Sequence, residues 1–207
     1  EESKTKLERC LKQKSGMIIF SGPTGSGKST SLYTLLNKLN SETLNIVTVE
    51  DPVEYKIKGI NQIAVKEKIN VTFANALRSI LRQDPDVIMI GEIRDIETAE
   101  MAIRSAITGH LVLTTLHTKN ALSSIIRLRD LGVDDYLLSS SINAVASQRL
   151  VRKLCDCKKE DRINEKEYNI ITKFRNIDKN QKIYRPVGCQ KCNDGYLGRE
   201  AIEEVFI

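Results

Sequence analysis

From Gly16 onward, short runs of apolar and β-branched residues alternate with longer stretches whose apolar positions recur every three or four residues. Residues 17–21, 45–49, 87–90 and 111–115 are of the first kind; residues 29–39, 72–83, 95–108 and 121–131 are of the second. Apolar runs too short for helices read as strands buried on both faces. Their alternation with helices predicts an α/β domain whose parallel sheet is covered on both sides. The best-patterned helix is 72–83, where Phe73, Ala76, Leu77, Ile80 and Leu81 share one face behind Thr72 as N-cap and Asp84-Pro85 ends it. Residues 53–65 alternate as a small β-excursion, and 134–147 reads as a last helix striped by Leu137, Leu138, Ile142 and Val145. Residues 1–15 are polar apart from Leu7 and Leu11 at helical spacing, and they predict a linker with a short helix leading into the domain. Beyond Arg152 the texture turns to cysteine, charge and glycine, so the expected organisation is 1–15, a core over 16–150, and an appended module over 151–207.

Composition narrows the class. The 207 residues carry 32 Lys and Arg against 27 Asp and Glu, a net charge of +5, and 41% are apolar, which argues against wholesale disorder. No apolar run approaches the roughly 18 residues that mark a membrane-spanning helix. The N-terminus has no apolar stretch behind its lysines and no initiator Met, so it reads as no signal peptide, and the chain as a fragment of something longer. A mild positive charge and ten aromatics, six Tyr and four Phe with no Trp, give nucleic acid little support as a partner. Of five cysteines, Cys10 stands alone, whereas Cys155, Cys157, Cys189 and Cys192 form two close pairs. Without an export signal, that spacing points to a metal rather than to disulfides.

The strongest chemical signal is Gly22-Pro23-Thr24-Gly25-Ser26-Gly27-Lys28-Ser29, followed by Thr30, between a predicted strand and a predicted helix. This is the phosphate-binding loop pattern: glycines let backbone N–H groups turn inward at a helix N-terminus, where the dipole also favours an anion. Lys28 is placed to reach the β and γ phosphates of a nucleotide, and the Ser29 hydroxyl to ligate Mg2+. Such a site needs carboxylates at the ends of neighbouring strands. Glu92, after 87–90, is the candidate for polarising the attacking water; Glu50, after 46–49, is the candidate for supplementing Mg2+ coordination. Gly91 occupies the position where an Asp usually ends such a run. His117 follows the 111–115 strand at its carboxyl end and is a candidate γ-phosphate sensor, with His110 a weaker one and a purely structural histidine the alternative for both. Arg78, Arg82, Arg94 and Arg104 are either helix-surface charge or phosphate contacts across a subunit boundary.

Together these segments resemble the secretion ATPase superfamily, the type IV pilus assembly ATPases and the similar type II secretion ATPases. Gly22 to Thr30 matches the Walker A box, and Thr48-Val49-Glu50-Asp51-Pro52-Val53-Glu54 resembles the family's Asp box. The segment from Leu81 to Asp95 resembles its Walker B region, Gly91 included, and Thr108 to His117 its His box. The resemblance implies a RecA-like P-loop NTPase core that hydrolyses ATP with Mg2+. It further implies a homo-hexamer at the cytoplasmic face of the inner membrane, docked on a platform protein and driving extension of a type IV pilus. A type II secretion pseudopilus motor is the alternative, and a nucleic-acid translocase on the same fold a more distant one. A zinc-stabilised interaction module that has lost catalysis is disfavoured by the intact Lys28, Ser29 and Glu92. The family's assembly and secretion members carry a tetracysteine zinc module after the core, which implies Zn2+ at Cys155, Cys157, Cys189 and Cys192. Here the second pair is C-x-x-C, and the first, C-x-C, is one residue shorter than the pattern. The segment Gly198 to Val205 also departs from the family pattern after Arg199. The family's preceding domain closes over the nucleotide, so weak turnover and a mostly monomeric state are expected of these residues alone.

Overall fold

The computed structural model describes residues 2–207. It divides into two units: one runs up to Arg149 and resumes over Ala201–Ile207, the other is Leu150–Glu200. In chain order the first holds α1 (Glu2–Leu11), β1 (Gly16–Ser21), α2 (Lys28–Leu39), β2 (Ile46–Glu50), β3 (Asn61–Ala64), α3 (Phe73–Ile80), β4 (Val87–Ile90), α4 (Ile96–Ile107), β5 (Leu111–Leu116), α5 (Ala121–Asp130) and α6 (Asp135–Ser141). The long β6 (Ile142–Leu154) follows. The second unit has β7 (Lys159–Arg162), α7 (Glu165–Ile171) and β8 (Lys182–Arg185), and β9 (Tyr196–Phe206) closes the chain.

The main sheet runs β3-β2-β4-β5-β1-β6-β9. Pairing is parallel from β3 through to β6. Every residue of β1, β2, β4 and β5 is buried, as their apolar runs require. Alternate side chains feed two cores. Ile18, Phe20, Val87, Met89 and Leu113 meet α1 and α2 through Leu7, Cys10, Leu32 and Leu36. Met17, Ile19, Val47, Ile88, Ile90 and Val112 meet α3 to α6 through Leu77, Ile80, Ile103, Leu128 and Leu138. Ala99, Ala102 and Ala106 are the small buried residues of α4, which let that helix lie close to the sheet. Among the described residues no helix is long and apolar enough to cross a membrane.

Three expectations change. Residues 142–147 are not the end of a helix: α6 stops at Ser141, and β6 pairs beside β1 with Ile18 opposite Ala144 and Ile19 opposite Val145. Ile142 and Val145 fit either period, and pairing wins because it satisfies the backbone groups on the open side of β1. The 72–83 helix tightens into a 3₁₀ turn over Leu81–Gln83, with Thr72 accepting from the Asn75 N–H as expected. The appended module does not reach residue 207. Ala201–Ile207 belongs to the first unit, where Val205 packs on the core and the Glu204 carboxylate accepts from the Ala121 N–H at 3.0 Å.

Within Leu150–Glu200, β7 and β8 pair antiparallel and α7 begins with a capping box between Asn164 and Glu167. Arg185 donates to Asp161 at 2.9 Å and to Glu167 at 2.7 Å. Those hydrogen bonds hold both carboxyls below the ordinary range. Among the described residues of this unit, no apolar side chain other than Cys155 is buried.

Candidate functional site

The loop from Gly22 to Gly27 joins the end of β1 to the start of α2. A Cβ on Gly22 would lie 2.4 Å from the Gln148 carbonyl oxygen and 2.7 Å from Ser26 Oγ, so only glycine fits there. Gly27 holds the helix N-cap at φ 86°, a left-handed conformation that glycine adopts without strain. No side chain caps α2 and its first turn carries no acid, which leaves its N–H groups and dipole open to an anion. Lys28 is 7% exposed, and its Nζ donates to the Gly22 carbonyl at 2.9 Å and the Pro23 carbonyl at 3.1 Å. Burial lowers its pKa, and the charge of Glu92 works in the opposite direction. Ser26 Oγ is buried and unpaired among the described groups, a polar atom in want of a partner inside the loop. Ser29 and Thr30 are exposed at the start of α2. A phosphate chain fits this donor set.

Glu50 ends β2 and is 4% exposed. Its carboxylate accepts from the Tyr33 hydroxyl, from Thr48 Oγ1 at 2.6 Å and from Gln62 Nε2 at 3.1 Å. Burial and the bond to Glu50 push the Tyr33 hydroxyl pKa well above its ordinary value. Of about four lone-pair directions on a carboxylate, three are thus taken, and any cation beside Glu50 meets a charge already fixed in orientation. Thr48 opens the Asp-box segment, but Tyr33 and Gln62 carry no mark in the sequence; Tyr33 looks like one more inward residue of α2.

Beside Glu50, the Gly91 N–H donates to the Val49 carbonyl at 2.8 Å. A Cβ on Gly91 would stand 3.3 Å from that oxygen and 3.4 Å from Glu50 Cα. A side chain on Gly91 would crowd the end of β2. Glu92 forms an ion pair with Arg94, which also lies 3.5 Å from Asp51. His117 Nε2 is 3.7 Å from Glu92 Oε2. Glu92, Ile93, Arg94, Leu116, His117 and Arg127 line one cleft of about 440 Å³. Arg127 comes from α5 and belongs to none of the motifs.

The other candidates lie apart from this cluster. His110 precedes β5, so it sits at the opposite end of the strand from His117; its Nδ1 is 3.0 Å from the Ser105 carbonyl and it is tied structurally. Arg78 pairs with Glu97, Arg82 reaches Ser79 and Arg104 lies in the last turn of α4; of the four arginines only Arg94 joins the carboxylates.

In the second unit the four paired cysteines converge, all four Sγ atoms lying within 4.8 Å of one another. The separations are 3.9 Å for Cys155 to Cys189, 3.7 Å for Cys157 to Cys192 and 3.6 Å for Cys189 to Cys192. A tetrahedron with Zn–S bonds of about 2.3 Å has edges of about 3.8 Å, so the thiol set fits Zn2+, the shorter C-x-C spacing notwithstanding. Gly195 makes one turn of the cluster possible, since a Cβ there would fall 2.5 Å from Pro186 Cβ. Cys10 is buried far along the chain, its thiol directed at the Asn143 carbonyl.

Residues 1–207 match the family described as Type II/IV secretion system protein. Type II secretion system protein E of Aeromonas hydrophila is 49% identical over 203 residues, covering 97% of this chain and 40% of that protein. The type IV pilus assembly ATPase PilB of Acinetobacter baylyi is 50% identical over 209 residues, covering 99% of this chain and 36% of that protein. Among solved structures, the pilus retraction motor PilT with bound ADP aligns at a TM-score of 0.68 and 42% identity, over 73% of this chain and 47% of that one. The chain therefore spans 36% to 40% of the length of these curated relatives.

Proposed function

Because the chain belongs to the Type II/IV secretion system protein family, we propose that it is the ATP-hydrolysing motor domain that powers extension of a type IV pilus. The observation that carries this reading is the placement of the phosphate loop, Glu50 and the Glu92–His117 cleft at the carboxyl ends of neighbouring parallel strands. Gly22, Pro23, Thr24, Gly25, Ser26 and Gly27 wrap the phosphates with backbone N–H groups, Lys28 swings from the loop carbonyls to the β and γ phosphates, and Thr30 completes the helix start. Ser29 and Glu50 would hold Mg2+, which would neutralise charge on the phosphates. Glu92 takes the proton of the attacking water, and His117, within reach of the same carboxylate, reports whether the γ-phosphate is in place. The working assembly is a homo-hexamer seated on an inner-membrane platform protein at the cytoplasmic face, and nucleic acid has no part in it.

The two kinds of relative are equally near, at 49% and 50% identity, which supports a type II secretion pseudopilus motor as the second reading. A strain whose only copy carries Glu92→Gln separates them. Loss of surface pili supports the first; intact pili with exoproteins trapped in the periplasm support the second; neither defect contradicts both.

Two expected outcomes follow from the supporting contacts. Tyr33→Phe removes one hydrogen bond from a buried carboxylate, a loss of about 1.5–3 kcal/mol. For a domain of this size that lowers the melting temperature by roughly 4–10 °C, readable by calorimetry, and an unchanged melting point would show that Glu50 does not depend on it. For the cysteine cluster, elemental analysis of fresh protein is expected to find one zinc per chain, reduced to near none by Cys189→Ser, with Cys10→Ser retaining it. With Cys155 the only buried apolar side chain among the described residues 150–200, the metal supplies the core this unit otherwise lacks, and chelation should unfold it. Zinc-free protein whose stability is indifferent to chelator would leave the four as ordinary thiols.

A further inference from the structure

Gln148 lies on β6, outside every motif that identifies the nucleotide site, yet both ends of its amide are spent on that site. It is 2% exposed. Its Nε2 donates to the Ser26 carbonyl at 2.8 Å, and its Oε1 accepts from the Ser31 hydroxyl, one turn into α2, at 2.7 Å. The Ser26 carbonyl, which can only accept, fixes which end of the amide carries the NH2. Its backbone touches the loop as well, since the Gln148 carbonyl is the atom that forbids a side chain on Gly22. One residue of β6 thus meets the first glycine of the loop, its fourth variable residue and the first turn of the following helix.

The consequence follows from peptide geometry. In a trans peptide the C=O of one residue and the N–H of the next point in opposite directions. With the Ser26 carbonyl held toward Gln148, the Gly27 N–H is turned away from β6. Gly27 has φ 86° and no Cβ to resist a flip of that peptide, so an outside tie is needed to keep it in one orientation. We infer that Gln148 is a positioning residue of the phosphate loop: its side-chain amide sets the Ser26–Gly27 peptide so that the Gly27 N–H faces the phosphates of the bound nucleotide. This rests on the phosphate-loop reading of Gly22 to Ser29. An amide is the group required. A carboxylate would oppose oxygen to the Ser26 carbonyl, and an apolar side chain of the same length would leave the peptide free to turn.

The test compares Gln148→Glu, Gln148→Met, Ser31→Ala and Lys28→Ala with the unaltered full-length protein, measuring affinity for Mg-ADP and for adenosine, with the nucleotide-free melting temperature as a check on folding. Gln148→Met and Gln148→Glu are expected to weaken Mg-ADP roughly 10- to 100-fold, the worth of one hydrogen bond to a charged group, with adenosine binding unchanged. Ser31→Ala, which spares the bond to Ser26, should weaken Mg-ADP by only about threefold or less. Mg-ADP affinity within twofold of the unaltered protein in Gln148→Met, with Lys28→Ala impaired, overturns the inference and leaves the phosphate loop intact. A parallel fall in adenosine affinity also overturns it, because a general structural role has no preference for phosphate. Undiminished Mg-ADP binding in Lys28→Ala overturns the loop reading itself and this inference with it.

Discussion

Replacing Glu92 by Gln is expected to lower steady-state ATP turnover by roughly 10²- to 10⁴-fold, the range a positioned general base contributes. Nucleotide affinity should stay within about threefold, because this contact is made in the transition state rather than with the bound ground state. The substitution is nearly isosteric, and Glu92 follows two residues after the fully buried β4, so the cleft keeps its walls. What disappears is the basic oxygen that accepts the water's proton. The ion pair to Arg94 goes as well, but Arg94 keeps Asp51 as a neighbour at 3.5 Å and is not left without a counter-charge. A coupled assay of phosphate release reads the result, and turnover within a few-fold of the unaltered protein would remove Glu92 from the chemistry.

Lys28→Ala acts on the other half of the cycle. Its ammonium is the one charge in the loop, buried and already bound to the carbonyls of Gly22 and Pro23. Truncating one partner of a buried charge contact costs about 2–5 kcal/mol, so Mg-ATP affinity should fall by roughly 30-fold or more. Turnover falls with it. Calorimetric titration with Mg-ADP and with a non-hydrolysable ATP analogue measures the loss, and the two should weaken together, since both carry the β-phosphate. Affinity equal to that of the unaltered protein would count against the phosphate-loop assignment.

What could be read from the sequence was contiguous along the chain. Val87 to Ile90 and Leu111 to Leu116 announce buried parallel strands, because a strand covered on both faces reads as a largely apolar, β-branched run rather than an alternating one. The phosphate loop is legible for a similar reason: its donors come from successive backbone groups, which fixes glycine and lysine at set spacings. Glu50, Glu92 and His117 follow from lying just past strand ends. The structure added the residues that hold these groups in place, and they come from elsewhere in the chain. Tyr33 reaches Glu50 across 17 residues, and Gln148 reaches Ser26 across 122. Nothing in their neighbours distinguishes them from ordinary helix and strand positions.

Residues 142–147 form a strand for a different reason. Ile142, Asn143, Ala144, Val145 and Ala146 are small or β-branched, and their order suits a helical stripe as well as a buried strand. Only the unpaired side of β1, which the sequence does not display, decides between them. The end of the appended module was hidden likewise. Ala201–Ile207 follows directly on charged, glycine-containing sequence, and its return to the first unit depends on Val205 finding the α1–α2 side of the core and Glu204 finding the Ala121 N–H. For the cysteines, spacing alone leaves the C-x-C pair one residue short of the usual pattern, whereas the convergence of the four sulfurs in space fits a tetrahedral metal.

The most direct test of the nucleotide site is the identity of the nucleotide that stays on the full-length Glu92→Gln protein after incubation with Mg-ATP and rapid removal of free ligand. The arrangement of Lys28, Ser29, Glu50 and Glu92 predicts intact ATP, bound by the loop and left uncleaved. Recovery of ADP at the level found with the unaltered protein would contradict it, for the water would then have been activated by some other group.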